Sequence, residues 1–111
     1  MSQQHLPLWQ EALDDFLREL RRLYGVRLSR VVLYGSRARG DASEGSDIDV
    51  LVVLDPLEDF WDELSRIGPV ASRISLDYDV VLSAVPVDAA ELADPKTPLL
   101  LNSVREGVVL K

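Results

Sequence analysis

Arg30-Val31-Val32-Leu33-Tyr34-Gly35-Ser36-Arg37-Ala38-Arg39-Gly40 is followed, after six residues, by Asp47-Ile48-Asp49-Val50-Leu51-Val52-Val53-Leu54. The first run begins with a short β-rich stretch at 30–34 and breaks at Gly35, and 36–40 has room for about one helical turn. The second is a nearly continuous apolar run over 49–54, the pattern of a strand covered on both faces. Strands of this kind between helical segments predict an α/β layer domain.

Upstream, Trp9, Leu13, Phe16, Leu17, Leu20, Leu23 and Tyr24 recur at helical spacing, which predicts an amphipathic helix over 6–24 ended by Gly25. Downstream, Asp55-Pro56 has the form of an N-cap with proline at the first helical position. Leu57, Phe60, Trp61, Leu64 and Ile67 would make that helix's apolar face, and Gly68-Pro69 would kink or split it. The segment 76–85 is expected to be a third strand. Thr97-Pro98 can start a last short helix through Val104, and Gly107 precedes a terminal strand or extension at Val108-Val109-Leu110. There is no repeat or low-complexity stretch, so 1–111 is expected to be a single domain.

The 111 residues suffice for a core without staples, and the absence of cysteine excludes disulfides and thiolate zinc sites. The start, Met1-Ser2-Gln3-Gln4-His5, has no basic region followed by an apolar one, and no apolar run nears the roughly 20 residues of a membrane span. A cytoplasmic address is the expectation. The net charge of −7 is unevenly placed: residues 1–40 carry seven Arg against four acids, and residues 41–111 carry five basic against fifteen acidic residues. A polyanion-binding chain is more often basic overall, which disfavours long DNA or RNA as partner. A nucleotide shielded by metal ions, or a basic protein, suits this field better.

Gly35 lets the backbone approach a ligand without a Cβ in the way. A helix beginning at Ser36 would turn unpaired N–H groups toward a phosphate, with the Ser36 hydroxyl as a further donor and Arg39 on the same side. Alone, Gly-Ser is more often an ordinary tight turn. Asp47 and Asp49 change that balance. On a strand they face the same way, about 7 Å apart, and repel unless cations lie between them. Magnesium takes one or two carboxylates plus substrate phosphates, and a pair of such ions can hold an in-line displacement. Asp77 and Asp79 flank Tyr78 in the expected third strand. Asp79 is favoured as third carboxylate and acceptor of the attacking hydroxyl's proton, because it precedes Val80-Val81-Leu82 as Asp49 precedes Val50-Leu51-Val52. Asp77 stands as its alternative, and the bland reading makes both strand-edge acids. Rival motifs fail on particular residues. Asp41-Ala42 replaces the Lys-Ser/Thr of a phosphate loop after Gly40, and Ser46 and Val52 stand where a calcium loop needs Gly and Glu. His5, the only histidine, lies near the terminus and has no catalytic context. The residues together predict transfer of a nucleotidyl group from a nucleoside triphosphate.

Gly-Ser-x-Ala-Arg-Gly at 35–40 with Ser-Asp-Ile-Asp at 46–49 resembles the DNA polymerase beta-like nucleotidyltransferase superfamily, and most closely its small stand-alone minimal nucleotidyltransferases. The match is tight over 31–55, looser at Asp79, and extends to the tail at 101–108. The resemblance implies a nucleotidyltransferase fold, a small mixed sheet flanked by helices. It places Gly35, Ser36, Arg39 and Ser46 on the nucleotide, ATP above all, and Asp47, Asp49 and Asp79 on two magnesium ions. Larger relatives add a helical domain that presents the acceptor. With none in this sequence, the acceptor site is expected from a partner or from a second copy in a homo-oligomer. In the resembled family the frequent partner is a small helical HEPN-type toxin from an adjacent gene, with the nucleotidyltransferase as antitoxin. Two alternatives stay open: a module that neutralises a partner by contact alone, and an antibiotic-modifying enzyme.

Overall fold

The apolar runs on either side of the glycine-serine turn form the two central strands of a sheet, Leu28–Tyr34 (β1) and Ile48–Leu54 (β2). They pair antiparallel, with Leu33 opposite Val50 and Tyr34 opposite Asp49. A computed structural model describes residues 8–43 and 45–111. Leu82–Asp88 (β3) adds to β2 in parallel and Val108–Val109 (β4) adds to β1 antiparallel, giving the order β3-β2-β1-β4. The sheet is therefore four-stranded and, as expected, mixed.

Helices cover both faces. Leu8–Tyr24 (α1) and Phe60–Tyr78 (α3) pack Phe16, Leu20, Ile67 and Ile74 against Val31, Val50 and Val52. On the opposite face, Leu92 of Ala89–Ala93 (α4) and Leu100 of Pro98–Glu106 (α5) meet Val32, Leu51 and Val53. Alternation along β2 explains why one strand feeds both cores, since Val50 and Leu51 are each fully buried on opposite sides. Between β1 and β2 lies the single turn Ser36–Arg39 (α2).

Several expected boundaries are met. The α1 helix stops at Tyr24, with Gly25 at φ 54°. Its expected first residues, Leu6 and Pro7, lie outside the described residues, as does His5. Pro98 opens α5 and the Thr97 hydroxyl accepts a hydrogen bond from the Leu100 N–H at 3.2 Å.

The expectations around α3 are corrected on several points. First, Asp55-Pro56 does not start the helix. The Asp55 N–H extends the β1–β2 ladder to the Arg27 carbonyl at 2.9 Å. Asp59 caps instead, accepting from Trp61 N at 3.0 Å and Asp62 N at 3.1 Å. Second, Gly68-Pro69 does not split the helix, which continues through Pro69. Proline removes only the donor to the Ser65 carbonyl, Ser65 and Pro69 are both exposed to water, and buried Ile67, Ala71 and Ile74 hold the helix down on either side. The inward stripe also differs from expectation: Trp61 is 72% exposed, and Glu63 points inward, neutralised by Arg27 at 3.3 Å and Arg66 at 3.2 Å. Third, α3 runs to Tyr78, so β3 begins at Leu82 rather than at 76, and Asp77 and Asp79 lie on the helix's last turn and its cap. The apolar alternation at 76–82 mimics a strand, but burial of Ala71 and Ile74 one turn earlier favours helix.

The end of α5 is seated on β1 through a glycine. A Cβ at Gly107 would overlap the Ser103 carbonyl oxygen and come 2.5 Å from Val32 Cγ1. Overpacking of this kind costs about 1–3 kcal/mol. Gly107→Ala is thus expected to lower stability by about that amount, read as a shift in the urea unfolding midpoint at unchanged slope. An unshifted midpoint would show that this seat is not tight.

Candidate active site

The connection from β1 to β2 carries most of the candidate residues. Gly35 stands at φ 76°, in the left-handed region that favours glycine, and its carbonyl accepts the Ala38 and Arg39 N–H groups, each at 3.1 Å. A side chain there would also collide: a Cβ would lie 2.6 Å from Asp49 Oδ2. The missing Cβ therefore lets the carboxylate of β2 lie directly against the turn that ends β1. Ser36, the first residue of α2, is half-buried beside it.

Asp47 is exposed, one residue ahead of β2, and Asp49 is the second residue of the strand and half-buried. Asp49 shares a face with Leu51 and Val53, the face covered by α4 and α5. Burial, and then the charge of Asp47, hold the Asp49 carboxyl above the usual carboxylate range. The flanking strands place Tyr34 and Ser83 opposite Asp49, two neighbours that sequence spacing does not reveal because they depend on register. Burial raises the Tyr34 hydroxyl as well, with Asp49 adding to the effect.

The remaining candidates divide into two groups. Arg39 is held at the α2 end by Asp41 at 3.1 Å and by Glu106 of α5 at 3.5 Å. Glu106 was not anticipated; its one signal is that it directly precedes Gly107, whose seat on β1 brings it there. Ser46 and Asp79 line a cavity of about 530 Å³ together with Trp9, Arg37, Tyr78 and Val80, whereas Asp47 and Asp49 do not. The Ser46 hydroxyl accepts from the Ser43 N–H at 3.0 Å, and its carbonyl accepts from Arg37 Nη2 at 3.3 Å. Arg37 lies over the Trp9 ring, 4.8 Å from its centre, so this arginine faces α1. Asp77 is turned outward and paired with Arg73 at 3.1 Å. Among the described residues no group of three or more His, Cys, Asp or Glu is gathered to hold a metal ion. The arrangement thus offers a two-carboxylate edge over a glycine turn, with a third carboxylate on an adjoining cavity.

Residues 13–105 match the family profile described as "Nucleotidyltransferase domain". The chain is 35% identical over 103 residues to the "Putative protein adenylyltransferase MJ0604" of Methanocaldococcus jannaschii, an alignment covering 91% of this chain and 96% of that one. Its fold is similar to a chain in the crystal structure of a toxin-antitoxin with AMP-PNP, at TM-score 0.59 and 24% identity over 88% of this chain and 72% of the other. It is similar also to a chain of the complex of a tri-AMPylated Shewanella oneidensis HEPN toxin with its MNT antitoxin, at TM-score 0.54 and 20% identity over 94% and 71%. Those two likenesses concern the fold. With the family match spanning most of its length, the chain belongs to the nucleotidyltransferase domain family and is an enzyme of the nucleotidyltransferase class.

Proposed function

We propose that this enzyme transfers AMP from ATP to a hydroxyl group of a partner protein in a magnesium-dependent reaction, as the antitoxin of a HEPN-type toxin. The observation that carries the reading is the Asp47 and Asp49 pair set against Gly35 and Ser36. Two carboxylates in this position, one already pushed toward its protonated form by burial and by its neighbour, fit a divalent cation that relieves their repulsion. The donor set fits magnesium, which takes one or two carboxylates and completes its shell with phosphate and water oxygens. Bound between Asp47 and Asp49, the metal would neutralise the charge on the reacting phosphates.

The chain's own residues do the rest. The backbone at Gly35 and Ser36, with the Ser36 hydroxyl, cradles the triphosphate, and Arg39 offsets the charge of the leaving pyrophosphate. Ser46 shapes the loop that leads into Asp47. Asp79 is assigned the proton of the acceptor hydroxyl, which it meets from the cavity it lines. The third-ligand role expected for it has no gathered counterpart among the described residues. The protein adenylyltransferase name of the M. jannaschii relative supports a protein acceptor, and the AMPylated toxin complex supports a HEPN partner.

The test is an intact-mass spectrum of a candidate HEPN-type partner protein after incubation with the enzyme, ATP and magnesium. A gain of one or more AMP units, lost on adding a chelator, is expected. Asp47→Asn and Asp49→Asn should each reduce the rate on the order of 100-fold or more, since even groups supporting a metal's ligands contribute about 10- to 100-fold. Wild-type rates in either variant would overturn the assignment, and a transfer-dead variant that still silences its partner would favour inhibition by contact.

Stability should move the other way. A carboxyl whose folded pKa is raised favours folding below its unfolded value near pH 4 and loses that contribution as pH rises through the folded value. At about pH 7 the charged Asp49 therefore opposes folding. Asp49→Asn, of the same shape without the charge, is expected to unfold at higher urea than the wild type at about pH 7, the gap closing toward about pH 3. A variant less stable at neutral pH would contradict the like-charge account.

A further inference from the structure

Asp79 is the one described non-glycine residue with a positive φ, at φ 53° and ψ 49°, on the residue that caps α3. Glycine is the ordinary occupant of this place after a helix, because it alone adopts the left-handed conformation without cost. Aspartate tolerates it better than most residues but gains nothing from it.

The turn is held by Ser75. Its hydroxyl donates to the Ala71 carbonyl at 2.8 Å and accepts the Leu82 N–H at 3.0 Å. Its carbonyl accepts the N–H of Asp79 and, at 3.0 Å, that of Val80. One residue thus ties the helix end, the left-handed cap and the first residue of β3 together. The chain then returns at once to the acidic edge: the Val81 carbonyl accepts the Ile48 N–H at 2.8 Å, and Ile48 lies between Asp47 and Asp49. A well-formed turn with an unfavourable occupant points to a side chain kept for where it is aimed.

We infer that Ser75 is a positioning residue of the transfer reaction, which holds the Asp79 carboxylate on the cavity rim at a set distance from the Asp47 and Asp49 edge. The inference rests on the reading in which Asp79 takes the acceptor's proton. Ser75 does not line the cavity itself; it acts through the backbone of residues 79–82.

Two sets of variants test it with ATP, magnesium and the partner protein, each scored for kcat, the KM for ATP and melting temperature. Asp79→Gly is expected to melt no lower than the wild type, because it relieves the left-handed strain, while losing transfer. Ser75→Ala is expected to lower kcat about 10-fold at unchanged KM for ATP, as small displacements of a reacting group do. Ser75→Thr, which keeps the hydroxyl, should restore most of it. Asp59→Ala, which loosens the far end of the same helix, should lower the melting temperature without lowering kcat. If Ser75→Ala does not fold, Ser75→Cys replaces it, with the same expectation from its weaker hydrogen bonds. Wild-type kcat in Ser75→Ala (or in Ser75→Cys where that replaces it), or an equal fall in Asp59→Ala, would overturn the inference and leave Asp79 in place. Wild-type transfer by Asp79→Gly would instead overturn the role of Asp79, and the inference with it.

Discussion

The contact between the Asp49 carboxylate and the bare backbone of Gly35 is the constraint on which the rest of this structure turns. A carboxylate at the start of a buried strand is unfavourable, and the like charge of Asp47 makes it more so. It is held there because β2 is locked between β1 and β3 and is buried on both faces. Sliding the strand by a single residue would exchange its two cores. The hydrophobic effect on Val50, Leu51, Val52 and Val53 thus holds two acids at a place they would not choose.

The same logic runs through the site's periphery. Arg37 and Arg39 are two residues apart on one helical turn, yet one faces Trp9 and the other faces Asp41 and Glu106. The basic residues of the motif are therefore divided between an aromatic ring of α1 and a pair of carboxylates. Glu106 reaches Arg39 only because Gly107 lets α5 close on Val32. Two glycines, one on each side of β1, permit the two approaches that build the edge of the site.

Legibility in the sequence followed the range of the interactions involved. The apolar run of β2, the Thr97-Pro98 start and the Gly-Ser turn with Asp47 and Asp49 were readable, because each rests on local spacing or local conformation. The course of α3 was not. Its passage through Pro69 and its end at Tyr78 depend on Ile67, Ala71 and Ile74 finding the sheet, and that tertiary packing overrides the local breaker signal. The placement of Asp77 and Asp79 failed for the same reason. Tyr34, Ser83 and Glu106 were invisible because strand register and a contact spanning 67 residues bring them to the site.

The strand order β3-β2-β1-β4 has a consequence for how the chain assembles. The two central strands come first in the chain, and the segment joining them is the turn that carries Gly35, Ser36 and Asp47. Their pairing closes a short loop and is entropically cheap, whereas β3 and β4 arrive later and attach at opposite edges. The residues proposed to hold the nucleotide and the metal, Asp79 apart, thus lie within the most local strand pairing of the fold. The germ of the sheet and the germ of the reaction are the same loop, and a substitution there is weighed at birth as well as at work.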